Sequence, residues 1–267
     1  MMKKLFISAD IEGTCGIANW NETEKNHADW AYFADQMTRE VAAACEGAKA
    51  SGFDQILIKD AHDSARNLNP RALPQGIELI RGWAGDPFCM MAGVDHTFDG
   101  VVFTGYHDAA GKGSNPLSHT MTTSALSVSI NGEPASELMI NSLTASYVKV
   151  PVYAVTGDQG LCDWMKQKSP NTAVVPVNRG MGAAVRSIHP DDAVAKIREA
   201  VAQAVKQPRE ACLFPMPGHF DVRICYREHS LAKRNSHFPG VRLLDDRTIQ
   251  FEHDDFYEVL RMMHFCL

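Results

Sequence analysis

The sequence predicts an α/β protein: three αβα layers around a largely parallel central sheet, with an α+β extension toward the C-terminal end. Short apolar runs rich in β-branched residues alternate with segments of helical periodicity, which is the pattern of βαβ units. From Gln207 onward the texture changes, with Pro208, Pro215 and Pro217 forming a connector into further strands. A chain of 267 residues with 45% hydrophobic and 22% charged content can bury one large core. We therefore expect a main α/β domain over residues 1–206 and a subdomain over 207–267 packed on it, or one continuous domain.

The first strand is Lys4 to Ala9. A helix follows from about Ala28 to Ser51, where Trp30, Phe33, Met37, Val41, Ala44 and Ala48 recur at three- and four-residue spacing and Gly52 ends the run. Gln55 to Lys59, Ile77 to Arg81 and Val101 to Gly105 read as strands. The stretch from His107 to Ser118 carries Gly111, Gly113 and Pro116, so it is an irregular loop ordered by something other than secondary structure. Ser127 to Asn131 runs into an Asn-Gly turn, and Ser136 to Val148 is helical with Glu137 in its first turn. Val152 to Gly157, a helix near Leu161 to Lys168, and Thr172 to Val177 continue the alternation. Pro190 to Val205 is a helix with Asp191 and Asp192 at its positive end. Beyond the connector, Phe220 to Tyr226 and Thr248 to Phe251 read as strands and Asp255 to His264 as a closing helix. Arg179-Gly180-Met181-Gly182 is too short for a phosphate-binding loop and reads as a turn.

A net charge of -6 and a pI near 6.0 argue against a nucleic-acid partner, which leans on clustered Lys and Arg. No run approaches the roughly 18 apolar residues of a membrane span. Asp10 interrupts the first apolar stretch far short of a signal sequence. The seven cysteines show no C-x-x-C pair and read as reduced thiols, so the expected compartment is cytoplasmic.

In open α/β sheets ligands bind beyond the carboxyl ends of strands. Asp10 and Glu12 follow the first strand, His62 and Asp63 the second, and His107 the strand ending in Thr104-Gly105-Tyr106, while His119 closes the long loop. Carboxylates mixed with imidazoles suit zinc, manganese, cobalt or iron, whereas calcium and magnesium prefer oxygen alone. Asp10, Glu12 and Glu137 give three negative charges, which with one hydroxide balance two divalent ions. Taken singly, each group has a plain structural reading: a carboxylate after a strand often caps the next helix, and a loop histidine is often a surface residue. Their joint placement at strand ends favours a metal centre. His27, His96, His189, His219, His229, His237, His253 and His264 lack such placement and read as structural or surface residues.

These residues resemble a known family. Ser8-Ala9-Asp10-Ile11-Glu12-Gly13, Asp60-Ala61-His62-Asp63-Ser64, Gly105-Tyr106-His107, Ser118-His119-Thr120 and Glu137-Leu138 with Asn141 are similar, in order and spacing, to the DppA-type D-aminopeptidases of peptidase family M55. The resemblance implies two zinc ions per subunit, with Asp10 bridging, Glu12 and His62 completing one site, and His107 and Glu137 the other. It implies that His119 is a further active-site histidine, and that subunits form a homo-oligomer, a decameric ring. Metal chemistry then implies attack on the scissile carbonyl of a short peptide or amide by a metal-activated hydroxide, with His119 stabilising the oxyanion or protonating the leaving amine. Asp108, the loop Ala109 to Pro116, and the Cys15 and Trp20 region are expected to line the pocket.

Rival readings remain open at this point. A dinuclear amidohydrolase or phosphoesterase would use similar ligands, but a phosphoesterase adds positive groups, and only Arg66 and Lys112 lie in the motif loops. An L-specific aminopeptidase fits as well as a D-specific one. A non-catalytic peptide-transport accessory would need a closed structural site, which is usually rich in thiolates.

Overall fold

The computed structural model describes residues 2–267. In chain order the first elements are β1 (Lys3–Ala9), α1 (Trp30–Ala50), β2 (Phe53–Asp60), β3 (Ile77–Ile80) and β4 (Gly100–Tyr106). There follow β5 (Ala125–Ile130), β6 (Glu133–Pro134), α2 (Glu137–Tyr147), β7 (Val152–Asp158), α3 (Gln159–Lys168), β8 (Ala173–Met181), β9 (Ala184–Ser187) and α4 (Pro190–Ala204). The remainder holds β10 (Phe220–Tyr226), α5 (His229–Asn235), β11 (Arg242–Leu243), β12 (Thr248–His253) and α6 (Phe256–Cys266).

A seven-stranded sheet runs β3-β2-β1-β4-β7-β8-β9 and is parallel except for the β8/β9 hairpin at its edge. Every residue of β4 and of β7 is buried, as a central parallel strand covered on both faces requires. On β1 the two faces separate cleanly. Leu5 and Ile7 pack with Met37 and Val41 of α1 and with Ile197 and Val201 of α4, while Phe6 packs toward Phe103 and Leu138 on the other side. The fold is therefore the α/β architecture expected, with α1 and α4 as one outer layer and α2 and α3 on the opposite face.

Against that opposite face lies a five-stranded antiparallel sheet in the order β11-β12-β10-β5-β6. It takes β5 and β6 from before residue 206 and the other three strands from after it. The segment 207–267 thus shares its sheet with a hairpin inserted between β4 and α2. Its inner residues Val222, Ile224, Ile249 and Phe251 enter the same apolar cluster as Val101 and Phe103 of the main sheet. The expected turn at Arg179 to Gly182 is largely strand: Arg179 pairs with Arg186 and Gly180 with Val185, and the chain reverses only after Met181.

Strand order reverses between β1 and β4, since β2 and β3 extend one way and β7 and β8 the other. That switch point opens a crevice at the carboxyl ends of the two strands. Asp10 and His107 are the first residues beyond them. No helix among the described residues is long and apolar enough to cross a membrane.

Candidate metal centre

The loop after β1 is pressed against the end of β4. Asp10 donates its backbone N–H to Thr104 O at 2.9 Å and Gly13 to Gly105 O at 2.8 Å. Two glycines make this approach possible. Gly105 has φ +68°, and a Cβ on it would stand 2.3 Å from Asp10 O; a Cβ on Gly13 would stand 1.9 Å from Tyr106 O. Asn115, in the long loop after β4, donates to Glu12 O at 3.0 Å. The same loop is ordered by side chains: Leu117 donates its N–H to Asn115 Oδ1, and Ala110 donates its N–H to Thr120 Oγ1. Ser136 caps α2 by accepting from Met139 N, and Glu137 thereby faces the crevice from the helix's first turn.

All six residues singled out from sequence converge. His62 Nδ1 lies 3.5 Å from Asp10 Oδ1 and 3.0 Å from Glu12 Oε2. His107 Nε2 lies 3.5 Å from Asp10 Oδ2 and 3.4 Å from Glu137 Oε2. His119 Nε2 is 3.5 Å from Glu137 Oε1 and 3.9 Å from Glu12 Oε1. Ligand atoms of Asp10, Glu12 and His62, of Asp10, His107 and Glu137, and of Glu12, His107 and His119 form three groups, each within 4.8 Å internally. Asp10 belongs to two of them, with a different oxygen toward each histidine.

The outer nitrogen of each imidazole meets a backbone carbonyl. His62 Nε2 faces Thr23 O at 3.0 Å, His107 Nδ1 faces Asp108 O at 2.9 Å, and His119 Nδ1 faces Leu117 O at 2.9 Å. A carbonyl only accepts, so each outer nitrogen carries a proton and the inner nitrogen is the one presented to the carboxylates. This is how metal-ligating histidines are held.

Burial decides the electrostatics. It raises the Asp10 carboxyl well above the usual range, and neighbouring Glu12 adds to the effect. Burial would raise Glu12 and Glu137 too, but His62 holds Glu12 well below its ordinary value and His107 pulls Glu137 down. Burial depresses imidazoles, yet Glu12 and Asp10 keep His62 well above its usual range, and Glu137 with Glu12 does the same for His107. The cluster thus demands positive charge at its centre. Asp10 Oδ2, Glu12 Oε2 and His107 Nε2 are buried with no hydrogen-bond partner, so three donors of metal-ligand type point inward unsatisfied. The donor set fits zinc-class ions.

The centre forms one wall of a cavity of about 460 Å³. Trp20, Met90, Ile140, Leu260 and Met263 supply apolar surface, and among the described residues no lysine or arginine lines it. Trp20 is where the sequence suggested; Cys15 and Asp108 are not on the wall. Cys15 is buried with its Sγ against Ile188 O, and Asp108 accepts from Ser114 Oγ and its neighbour Ala109 N. Reading strand ends missed the far wall, including His264 at the end of α6 and Trp83 between β3 and β4. Trp83 is fixed by donating to Asp63 O at 2.7 Å and by the buried Lys59 ammonium, 4.1 Å from its ring centroid.

The chain matches the model of a D-aminopeptidase family, Peptidase_M55, over residues 2–265. It is 28% identical over 264 residues to a D-aminopeptidase of Bacillus subtilis (strain 168), covering 97% of this chain and 95% of the relative. Among solved structures it resembles the Zn-dependent D-aminopeptidase DppA from Bacillus subtilis, a self-compartmentalizing protease. The TM-score is 0.91 at 27% identity, covering 98% of this chain and 96% of that one.

Proposed function

This chain belongs to peptidase family M55, the D-aminopeptidases, and from that premise we propose that it is a zinc-dependent enzyme releasing N-terminal D-amino acids from short peptides or amides. It is a metallo-aminopeptidase by family. Beyond that, we assign Asp10, Glu12 and His62 to one zinc ion, Asp10, His107 and Glu137 to a second, and His119 to proton transfer or oxyanion stabilisation. The observation that carries this reading is the pair of three-residue groups sharing Asp10, with buried unpartnered ligand atoms pointing between them. When bound, zinc supplies Lewis acidity toward a carbonyl and acidifies water toward a pKa of about 7.

The protein's own groups supply the rest. Thr23 O, Asp108 O and Leu117 O fix the tautomers, so His119 presents a basic Nε2, the atom that would take up a proton and, once protonated, pass it to a leaving amine. At 13% side-chain exposure His119 is the most accessible of the three imidazoles. Trp20, Met90 and Ile140 give the cavity apolar surface for a substrate side chain, and the acidic lining favours a substrate bearing an amine. The lack of lysine and arginine on that wall disfavours the phosphoesterase alternative, whose anionic substrate needs them.

The similarity to a self-compartmentalizing protease supports a closed assembly, and we carry over the decameric ring. Seven free cysteines support a reducing, cytoplasmic setting. The test is hydrolysis of D-alanyl and L-alanyl amides and dipeptides by the purified protein, alongside zinc analysis and sedimentation. We expect D-amino-acid release that stops on chelation and returns with zinc, at about two zinc per subunit. Full activity after complete metal removal, or cleavage of L-substrates alone, would overturn the reading.

A further inference from the structure

Ser8, Tyr106 and Asn141 form a hydrogen-bond chain beneath the candidate ligands, and its direction can be deduced atom by atom. Ser8 Oγ lies 2.8 Å from Met90 O, and a carbonyl can only accept, so the serine proton is placed there. Tyr106 OH, 2.7 Å from Ser8 Oγ, must then be the donor of that contact. With its proton committed, the Tyr106 oxygen can only accept from Asn141, whose Nδ2 stands 3.0 Å away. A second partner requires the same orientation: the Met90 thioether, an acceptor only, lies 3.3 Å from Asn141 Nδ2.

Asn141 therefore has its amide nitrogen engaged on the buried side, and Oδ1 is the atom left to face the cavity whose wall it helps form. Among the described residues no donor bonds to that oxygen. The chain starts two residues before Asp10, passes through the residue preceding His107, and ends one helical turn after Glu137. It orients an acceptor beside the metal centre.

We propose that Asn141 is a substrate-binding residue whose Oδ1, oriented by Tyr106 and Ser8, accepts a hydrogen bond from the α-amino group of the substrate's first residue. This rests on the aminopeptidase reading above. The free amine offers two or three N–H donors where the scissile amide offers one, and an acylated N-terminus keeps a single N–H and brings an acceptor carbonyl with it. With no protein donor on it, Oδ1 keeps its acceptor capacity free for an N–H in the cavity.

The experiment compares wild type, Asn141→Ala, Tyr106→Phe and the double variant. It measures zinc content and affinity, KM and kcat on a D-alanyl amide, and binding of D-alanine by calorimetry. We expect zinc affinity unchanged, KM raised about tenfold in Asn141→Ala with a smaller change in kcat, and D-alanine affinity weakened by the same factor. Tyr106→Phe should raise KM less, and the double variant should match Asn141→Ala, because Tyr106 acts only through Asn141. Additive effects, loss of zinc, or D-alanine affinity unchanged by Asn141→Ala would each overturn the proposal. If wild type hydrolyses no peptide amide, the aminopeptidase reading fails by itself, while D-alanine binding, which needs no turnover, still decides the role of Asn141.

Discussion

His107 and His119 lie nearly parallel, with ring planes 12° apart and centroids 4.3 Å apart. They divide Glu137 between them, His107 Nε2 toward Oε2 and His119 Nε2 toward Oε1. The two rings differ in access: the His107 side chain is fully buried and the His119 side chain is 13% exposed on the cavity wall. Trp20 packs edge-on to His119 at 5.3 Å, so the ring is held from both sides.

From this difference comes the first prediction. His119→Ala should keep zinc content near that of wild type and lower kcat by about 10²- to 10⁴-fold, the range for a general acid or base. Metal analysis with steady-state kinetics checks it. Loss of zinc in this variant would make His119 a ligand, through its grouping with Glu12 and His107.

Asp10 presents one oxygen to each of the flanking histidines. Asp10→Ala should consequently abolish binding of both ions, whereas His62→Ala should leave about one zinc per subunit, held by Asp10, His107 and Glu137. Titration with a chromophoric chelator distinguishes the two. Equal stoichiometry in both variants would remove Asp10 from the bridging position.

The candidate cluster was legible because Asp10, Glu12, His62 and His107 sit within three residues of a strand end and Glu137 in a helix's first turn, where position follows from a local pattern. Asp10, His62 and His107 are fixed this way by β1, β2 and β4. The 21-residue helix α1 was legible from its apolar spacing. What the sequence hid depends on contacts between distant segments. The pairing of Val222 with Ile130 joins residues far apart in the chain, so the split of the second sheet across residue 206 has no local signature. The orientation of Asn141 follows from protons on Ser8 and Tyr106, and His264 reaches the cavity only because α6 folds back over it. Glu40 reads as an ordinary charged helical position; its burial comes from the β1 loop lying across α1.

Metal removal should destabilise the fold as well as stop turnover. The donor cluster buries three carboxylates whose mutual repulsion an ion relieves. At a free zinc concentration one hundred times the dissociation constant, each bound ion contributes about 2.7 kcal/mol. For a chain of this size that corresponds to a fall in Tm of about 5–10 °C for each ion lost on chelation. Calorimetry with and without chelator reads it, and Asp10→Ala should show no such shift. An unchanged wild-type Tm would mean that the cluster holds no ion in the folded protein.

Glu40 gives a pH prediction independent of the metal. Its carboxyl is buried on α1; Oε1 accepts from Cys15 N and from Gln36 Nε2, both at 3.0 Å, and Oε2 has no partner. Burial raises its pKa from 4.5 to about 7. The folded state therefore keeps this proton where the unfolded chain has lost it. By linkage, stability falls as pH rises from about 4.5 to about 7 and is level above that. The shift corresponds to about 3 kcal/mol. Glu40→Gln retains an oxygen for both donors and cannot ionise, so it should match wild type near pH 4.5 and exceed it by about that amount near pH 8. Urea unfolding of both proteins at the two pH values isolates the effect, because every other titrating group is common to the pair. A stability difference independent of pH would show that Glu40 titrates in the folded protein as it does in the unfolded chain.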